Sequence, residues 1–178
     1  MDLPSYQRSL RRLVIGESAR ADDPPYARGL AGSTGLAVVR EVIGFWRAHA
    51  LERYCVLSAS WLKRQGRFEA EIGRFIASGE FSPDVAEAGQ QFLRQLSHDS
   101  DPLVQALARF EIALHETRAD PGECRSMDWP CDPGPILASI LDGHAPAVPD
   151  EPMAHRVTVS RALPGGYAST PLPAPGSG

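Results

Sequence analysis

Val42-Ile43-Gly44-Phe45-Trp46-Arg47-Ala48-His49-Ala50-Leu51-Glu52-Arg53-Tyr54-Cys55-Val56-Leu57 is the middle of a run from Leu36 to Gln65 whose apolar residues return at helical spacing. Val39, Val42, Ile43, Trp46, His49, Ala50, Tyr54, Leu57 and Trp61 trace one broad face. At 3.6 residues per turn this predicts a long helix with that face turned to a core. Gly44 is where such a run can break. Lys63 and Arg64 suit the negative end of a helix dipole, and Gly66 stops the helix.

The same signals recur on both sides. Ser5 to Ala19 predicts a short amphipathic helix with Tyr6, Leu10, Leu13 and Val14 inward. Asp22 to Gly35, with Asp23-Pro24-Pro25 and three glycines, reads as loop. Phe68 to Ser78 predicts a helix ended by Gly79. Ser82-Pro83 and Ser100-Asp101-Pro102 each pair a capping side chain with proline at the first helical position. They predict helices with Val85, Phe92, Leu93 and Leu96 inward in one, and with Leu103, Leu107, Phe110 and Leu114 in the other, the latter running to Thr117. Asp132-Pro133 opens a short helix to Leu141, with Gly143 beyond its end. Val157-Thr158-Val159 is the one segment that reads as strand. The expected fold class is all-α. It is a compact bundle of about five or six helices with an irregular C-terminal arm containing one short β-strand. The divisions expected are a helical core at 1–127, an arm with short helix and strand at 128–167, and a disordered tail at 168–178.

The chain has 178 residues, 18 basic and 22 acidic, a net charge of −4. One domain plus a tail fits that length. The acidic balance argues against nucleic acid, where phosphate neutralisation supplies most non-specific affinity. No apolar run is long enough to span a bilayer. The N-terminus lacks the charged and apolar regions of a signal peptide, and three cysteines do not make a disulfide framework. A cytoplasmic protein is expected.

Candidate chemistry is sparse. Glu111 and His115 are four apart and share a helix face, with Glu116 beside them. Such a pair can bind a metal or move protons, but the Glu-x-x-His pairs of a helical di-iron site are missing. The simpler reading is a solvent-facing pair at the helix end. Cys124, Cys131, His144 and His155 lack the tight pairing of zinc ligands. Cys55 falls on a buried helix side, as a small core residue. Gly29 to Gly35 lacks the Gly-Lys-Ser/Thr ending of a phosphate loop. No catalytic residue, metal site or cofactor is therefore assigned.

The stretch from Asp128 to Gly166 crowds Trp, Pro, Gly and Arg together without a repeat of 3.6 or 2. Such a segment either wraps its own domain or docks on a partner. Docking would place Trp129, Pro130, Asp132, Leu163 and Pro164 at a partner interface, with Trp129 as the anchor. A lone strand in a helical protein has unpaired N–H and C=O groups. Arg156, Val157, Thr158, Val159 and Arg161 thus become the candidate peptide-binding residues, with the arginines favouring an acidic peptide.

Several segments, in order, carry a family resemblance: Trp46-Arg47, Glu52-Arg53-Tyr54-Cys55-Val56-Leu57, Gly66-Arg67-Phe68-Glu69, Gly89-Gln90-Gln91-Phe92-Leu93, Ala108-Arg109-Phe110-Glu111-Ile112-Ala113-Leu114, Trp129-Pro130-Cys131-Asp132-Pro133, and Ser160-Arg161-Ala162-Leu163-Pro164-Gly165. Across residues 36 to 166 the chain resembles the small helical partner proteins encoded beside multinuclear non-haem iron-dependent oxidative enzymes. Those enzymes modify cysteines in ribosomally made peptides, as in thiaglutamate-type and copper-chelating peptide pathways. It is similar also to a helical domain described as DNA-binding in some such partners. The resemblance implies a non-catalytic subunit that recognises the leader of a precursor peptide and forms a heterodimer with the oxidase, which holds the iron. A helical DNA-binding regulator is the second expectation, its most basic helix being the one with Arg8, Arg11 and Arg12. A third is an enzyme using Glu111 and His115.

Overall fold

A computed structural model describes residues 2–78, 82–144 and 153–173. Among these, eight α-helices dominate: α1 Leu3–Val14, α2 Pro25–Leu30, α3 Thr34–Tyr54, α4 Val56–Arg64, α5 Phe68–Ala77, α6 Val85–Leu96, α7 Pro102–Ala119 and α8 Pro133–Leu141. Three strands, β1 Cys124–Trp129, β2 His155–Ser160 and β3 Tyr167–Pro171, form one antiparallel sheet in that order, with a 3-10 turn at Pro164–Gly166 before β3. The mostly helical class stands. The helix number is higher than expected, and a sheet replaces the irregular arm with its single strand.

The extra helices have local causes. The Pro24-Pro25 pair read as loop starts α2, since proline at the first helical position needs no N–H partner. The long run does not break at Gly44, which lies inside α3. It breaks at Cys55, whose φ of −106° and ψ of 55° leave the helix. Asp84, not Ser82, caps α6; its carboxylate accepts the N–H groups of Ala86 and Glu87 at 2.8 and 3.0 Å. Asp101 and Asp132 cap α7 and α8 where the sequence places them. Gly66 and Gly143 take the positive φ that ends a helix. Gly79 lies outside the described residues.

The chain forms two compact units, Met1–Ala50 with Glu69–Phe81, and Leu51–Phe68 with Ser82–Gly178. In the first, Leu13, Ala27 and Leu36 make a small core. Beside it the buried Asp23 accepts the Ser9 hydroxyl and the Arg20 N–H, each at 2.7 Å, and pairs with Arg12. These bonds hold its carboxyl below the ordinary value, the Arg20 N–H most of all.

The second unit has the larger core. Leu103, Leu107, Phe110 and Ala113 of α7 meet Ile136, Leu137 and Ile140 of α8 and Val157 and Val159 of β2. Trp129 closes the cluster, its ring edge-to-face with Phe110 at 5.7 Å. Tyr54 lies so close to α6 that a Cβ on Gly89 would sit 2.1 Å from its ring, which leaves glycine alone at that position.

Candidate functional site

The sheet positions most of the residues singled out from sequence, and it revises what they can do. β2 is the central strand. Cys124 to Trp129 pair with it on one side, and Tyr167 to Pro171 on the other. Val157 and Val159 are fully buried against α7 and α8, while Arg156 and Thr158 face the opposite side. The strand expected to seek a peptide already has both neighbours, so Val157, Thr158 and Val159 cannot pair with another chain. On the outer face Arg156 pairs with Asp128, and the Thr158 hydroxyl meets that of Ser126 at 3.0 Å. Arg161 is exposed in the turn after β2. Ala168 to Pro171, expected in a disordered tail, are β3; residues 174–178 lie outside the described residues.

The interface candidates divide similarly. Trp129 is 1% exposed and belongs to the unit's own core. Its indole N–H has no hydrogen-bond partner among the described residues. Asp132 caps α8 through the Gly134 N–H at 3.0 Å. Pro130 and Leu163 are half-buried, and Pro164 is exposed at the start of the 3-10 turn. Of the described residues from Trp129 onward, Trp129, Cys131, Ile136, Leu137, Ile140, Val157 and Val159 pack into the core of their own unit.

The open positions of the sheet are its edges. The Leu172 N–H donates to the Ala154 carbonyl at 2.8 Å, continuing the β2–β3 register. Backbone groups alternate sides along an antiparallel strand. Even-numbered residues of β2 therefore bond to β3, and odd-numbered ones to β1. It follows that Cys124, Ser126 and Asp128 turn their N–H and C=O outward from β1. On β3 the outward residues are Tyr167, Ser169 and Pro171, and the proline stands where its missing N–H costs no ladder bond. Among the described residues no backbone group outside the sheet bonds to the β1 edge.

Glu111 and His115 do share a face of α7, and neither behaves as a solvent-facing pair. Glu111 is buried, and its two oxygens accept the N–H groups of Leu57 and Ser58 at 2.8 and 2.9 Å. The carboxyl thus caps α4, whose own N-cap, Cys55, makes no side-chain capping bond. Burial raises its pKa, against the pull of Ser58 and the Leu57 N–H. His115 stacks on Tyr54, ring centres 4.1 Å apart, with Nε2 at 3.3 Å from the Tyr54 carbonyl. That contact makes Nε2 the protonated nitrogen. Burial and the Arg118 charge lower its pKa. The Cys55 thiol is pushed up by burial and by Glu111, which keeps it a protonated core group.

Around this pair lies a cleft of about 650 Å³, lined by the ends of α3 and α4, the second half of α7, α8, Gly165 and Tyr167. Cys131 is buried and Cys124 exposed. Among the described residues no three His, Cys, Asp or Glu side chains cluster as metal ligands. Arg12 is tied to Asp23, and Arg8 bonds its own helix through Pro4 and Ser5.

Sequence reasoning did not anticipate a surface on α3. Val38, Val39, Val42, Phe45 and Trp46 are exposed, Phe45 and Trp46 by more than 60%. Their rings and that of His49 contact one another, Phe45 edge-to-face on Trp46 at 5.8 Å. Exposed apolar side chains grouped in this way are a common feature of interaction surfaces. No described helix is long and apolar enough to cross a membrane. Comparison with family models, with curated proteins and with solved structures finds no match for this chain.

Proposed function

We propose that the chain is a non-catalytic partner subunit in the maturation of a ribosomally made peptide. It binds the precursor's leader and a multinuclear non-haem iron-dependent oxidase, so that the oxidase can act on a cysteine of the peptide. The iron belongs to the oxidase, and the heterodimer is cytoplasmic. The reading rests on the family resemblance of residues 36 to 166. The observation that supports it best is the β1 edge, where Cys124, Ser126 and Asp128 turn their backbone groups outward from a sheet anchored by Trp129, Val157 and Val159. An extended peptide adding there gains main-chain hydrogen bonds on a rigid template. The β3 edge is the poorer one, with fewer outward donors and a proline. The oxidase contact falls to the apolar face of α3, since Trp129 is committed to its own core.

Co-expression with the oxidase and precursor, followed by size-exclusion chromatography and iron analysis, tests the whole reading. A heterodimer with iron in the larger subunit supports it; a monomer that ignores both proteins sinks it. The edge has its own test. Ser126→Pro removes an outward N–H and leaves the β1–β2 ladder intact, so peptide affinity falls at least tenfold while thermal stability holds. Ser169→Pro, on the other edge, leaves affinity unchanged. Equal affinity for the wild type and Ser126→Pro would remove β1 from the proposal.

A further inference from the structure

The cleft beside His115 has features that the adaptor reading does not use. Its walls are apolar: Leu57, Phe110, Leu114, Leu137 and Tyr167 line it, and the exposed Leu141 extends it outward. Its size falls in the range of small-molecule sites. Its charges are one-sided. Glu111 is the single acid in the lining, and both of its oxygens are taken up by the N-terminus of α4. Arg53 and Arg118 also line the cleft, and among the described residues neither has a hydrogen-bond or ion-pair partner. His115 Nδ1 has no hydrogen-bond partner among the described residues.

We propose that this cleft binds a small apolar carboxylate, a medium-chain or aryl carboxylic acid, with its hydrocarbon body against Phe110, Leu114 and Leu137 and its carboxylate on Arg53 and Arg118. Guanidinium groups meet a carboxylate through paired N–H donors, and beside an apolar wall such bonds are stronger than in open water. An ammonium group meets two guanidinium charges here and no free acid, because both oxygens of the Glu111 carboxylate already accept N–H groups of α4. A polyphosphate finds two guanidinium groups but mostly apolar walls. A medium-chain acid satisfies both halves of the lining. The inference is independent of the peptide and oxidase.

Isothermal titration of the full chain with decanoate and decylamine below their micelle concentrations, and with decanol below its solubility limit, tests it. Decanoate binds at least tenfold more tightly than decanol, and decylamine more weakly than either. The double variant R53Q/R118Q brings decanoate down to the level of decanol while decanol binding persists, which shows the cleft still folded. Ala138→Trp, at an exposed position of the lining, fills the cleft and abolishes decanoate binding with thermal stability unchanged. Absence of decanoate binding, equal binding of decylamine, or wild-type decanoate binding by either variant overturns the proposal.

Discussion

Two tryptophans occupy opposite environments: Trp46 is opposite to its reading in the sequence, and Trp129 takes one of the two alternatives the sequence left open. Trp46 lies in the most regular helical run of the chain, among residues spaced for a buried face, and is 62% exposed. Trp129 lies in a stretch of proline and glycine, spaced for nothing in particular, and is 1% exposed. Periodicity says which residues share a face of an element. It does not say whether that face meets a core, because that depends on what the rest of the chain brings there. α3 is apolar on several sides, so its spacing selects no single inward face. Trp129 needs no periodicity, because it ends a strand whose ladder fixes its position opposite His155.

The largest test of this contrast is Trp129→Ala. Removing a buried indole from the junction of α7, α8 and the sheet should cost about 3–5 kcal/mol, read as a fall in the denaturant midpoint. Trp129→Phe should cost much less, because the indole N–H makes no bond that would be lost among the described residues. A loss below about 1 kcal/mol for the alanine variant would return Trp129 to the surface and revive it as a docking anchor.

Glu111→Ala comes next. It leaves two N–H groups of α4 without an acceptor in the buried interior, at roughly 3 kcal/mol. Its pH behaviour sharpens the point. Burial raises the Glu111 carboxyl in the folded chain. The stability it contributes is therefore fully present below the unfolded pKa, near 4.3, and is lost as pH rises through the higher folded value. Glu111→Gln removes that titration. Stability curves of the two proteins should converge, and then shift in favour of the glutamine, as pH rises above about 4. A constant gap between them would mean that Glu111 ionises in the folded state as it does in the unfolded one. A smaller effect belongs to Asp132→Ala, which loses only the cap of α8 and should cost about 1 kcal/mol. An Asp132 serving a partner interface would instead leave stability unchanged and lower affinity for the oxidase.

How far the sequence could be read follows from the same physics. Helix starts at Asp101 and Asp132 and stops at Gly66 and Gly143 were legible because capping and positive φ are set by adjacent residues. β2 was legible through Val157 and Val159, which are β-branched and alternate with polar residues. β1 was not: Cys-Arg-Ser-Met-Asp-Trp has no β-branched residue and is mostly exposed. β3 was hidden by its small residues and Pro171, which suit an edge strand and also read as tail. The pair Glu111 and His115 was legible as a helix face. The role of Glu111 was not, because its partners lie more than fifty positions away in sequence, at a break in the long helical run that only Cys55 and the cap reveal.

The smallest effect on stability is expected at Trp46. It contacts Phe45 and His49 on its own helix, so Trp46→Ala should change stability by no more than about 0.5 kcal/mol. The same variant should weaken the proposed complex with an oxidase, since an exposed tryptophan set among Val42 and Phe45 is the kind of residue that dominates a protein interface. Pairing the two measurements makes the contrast decisive. Trp129→Ala should destabilise the chain without a separate effect on affinity once folding is restored at low temperature, and Trp46→Ala should do the reverse. If Trp46→Ala destabilises the isolated chain by several kcal/mol, the α3 face is structural, and the docking role assigned to it has no support left.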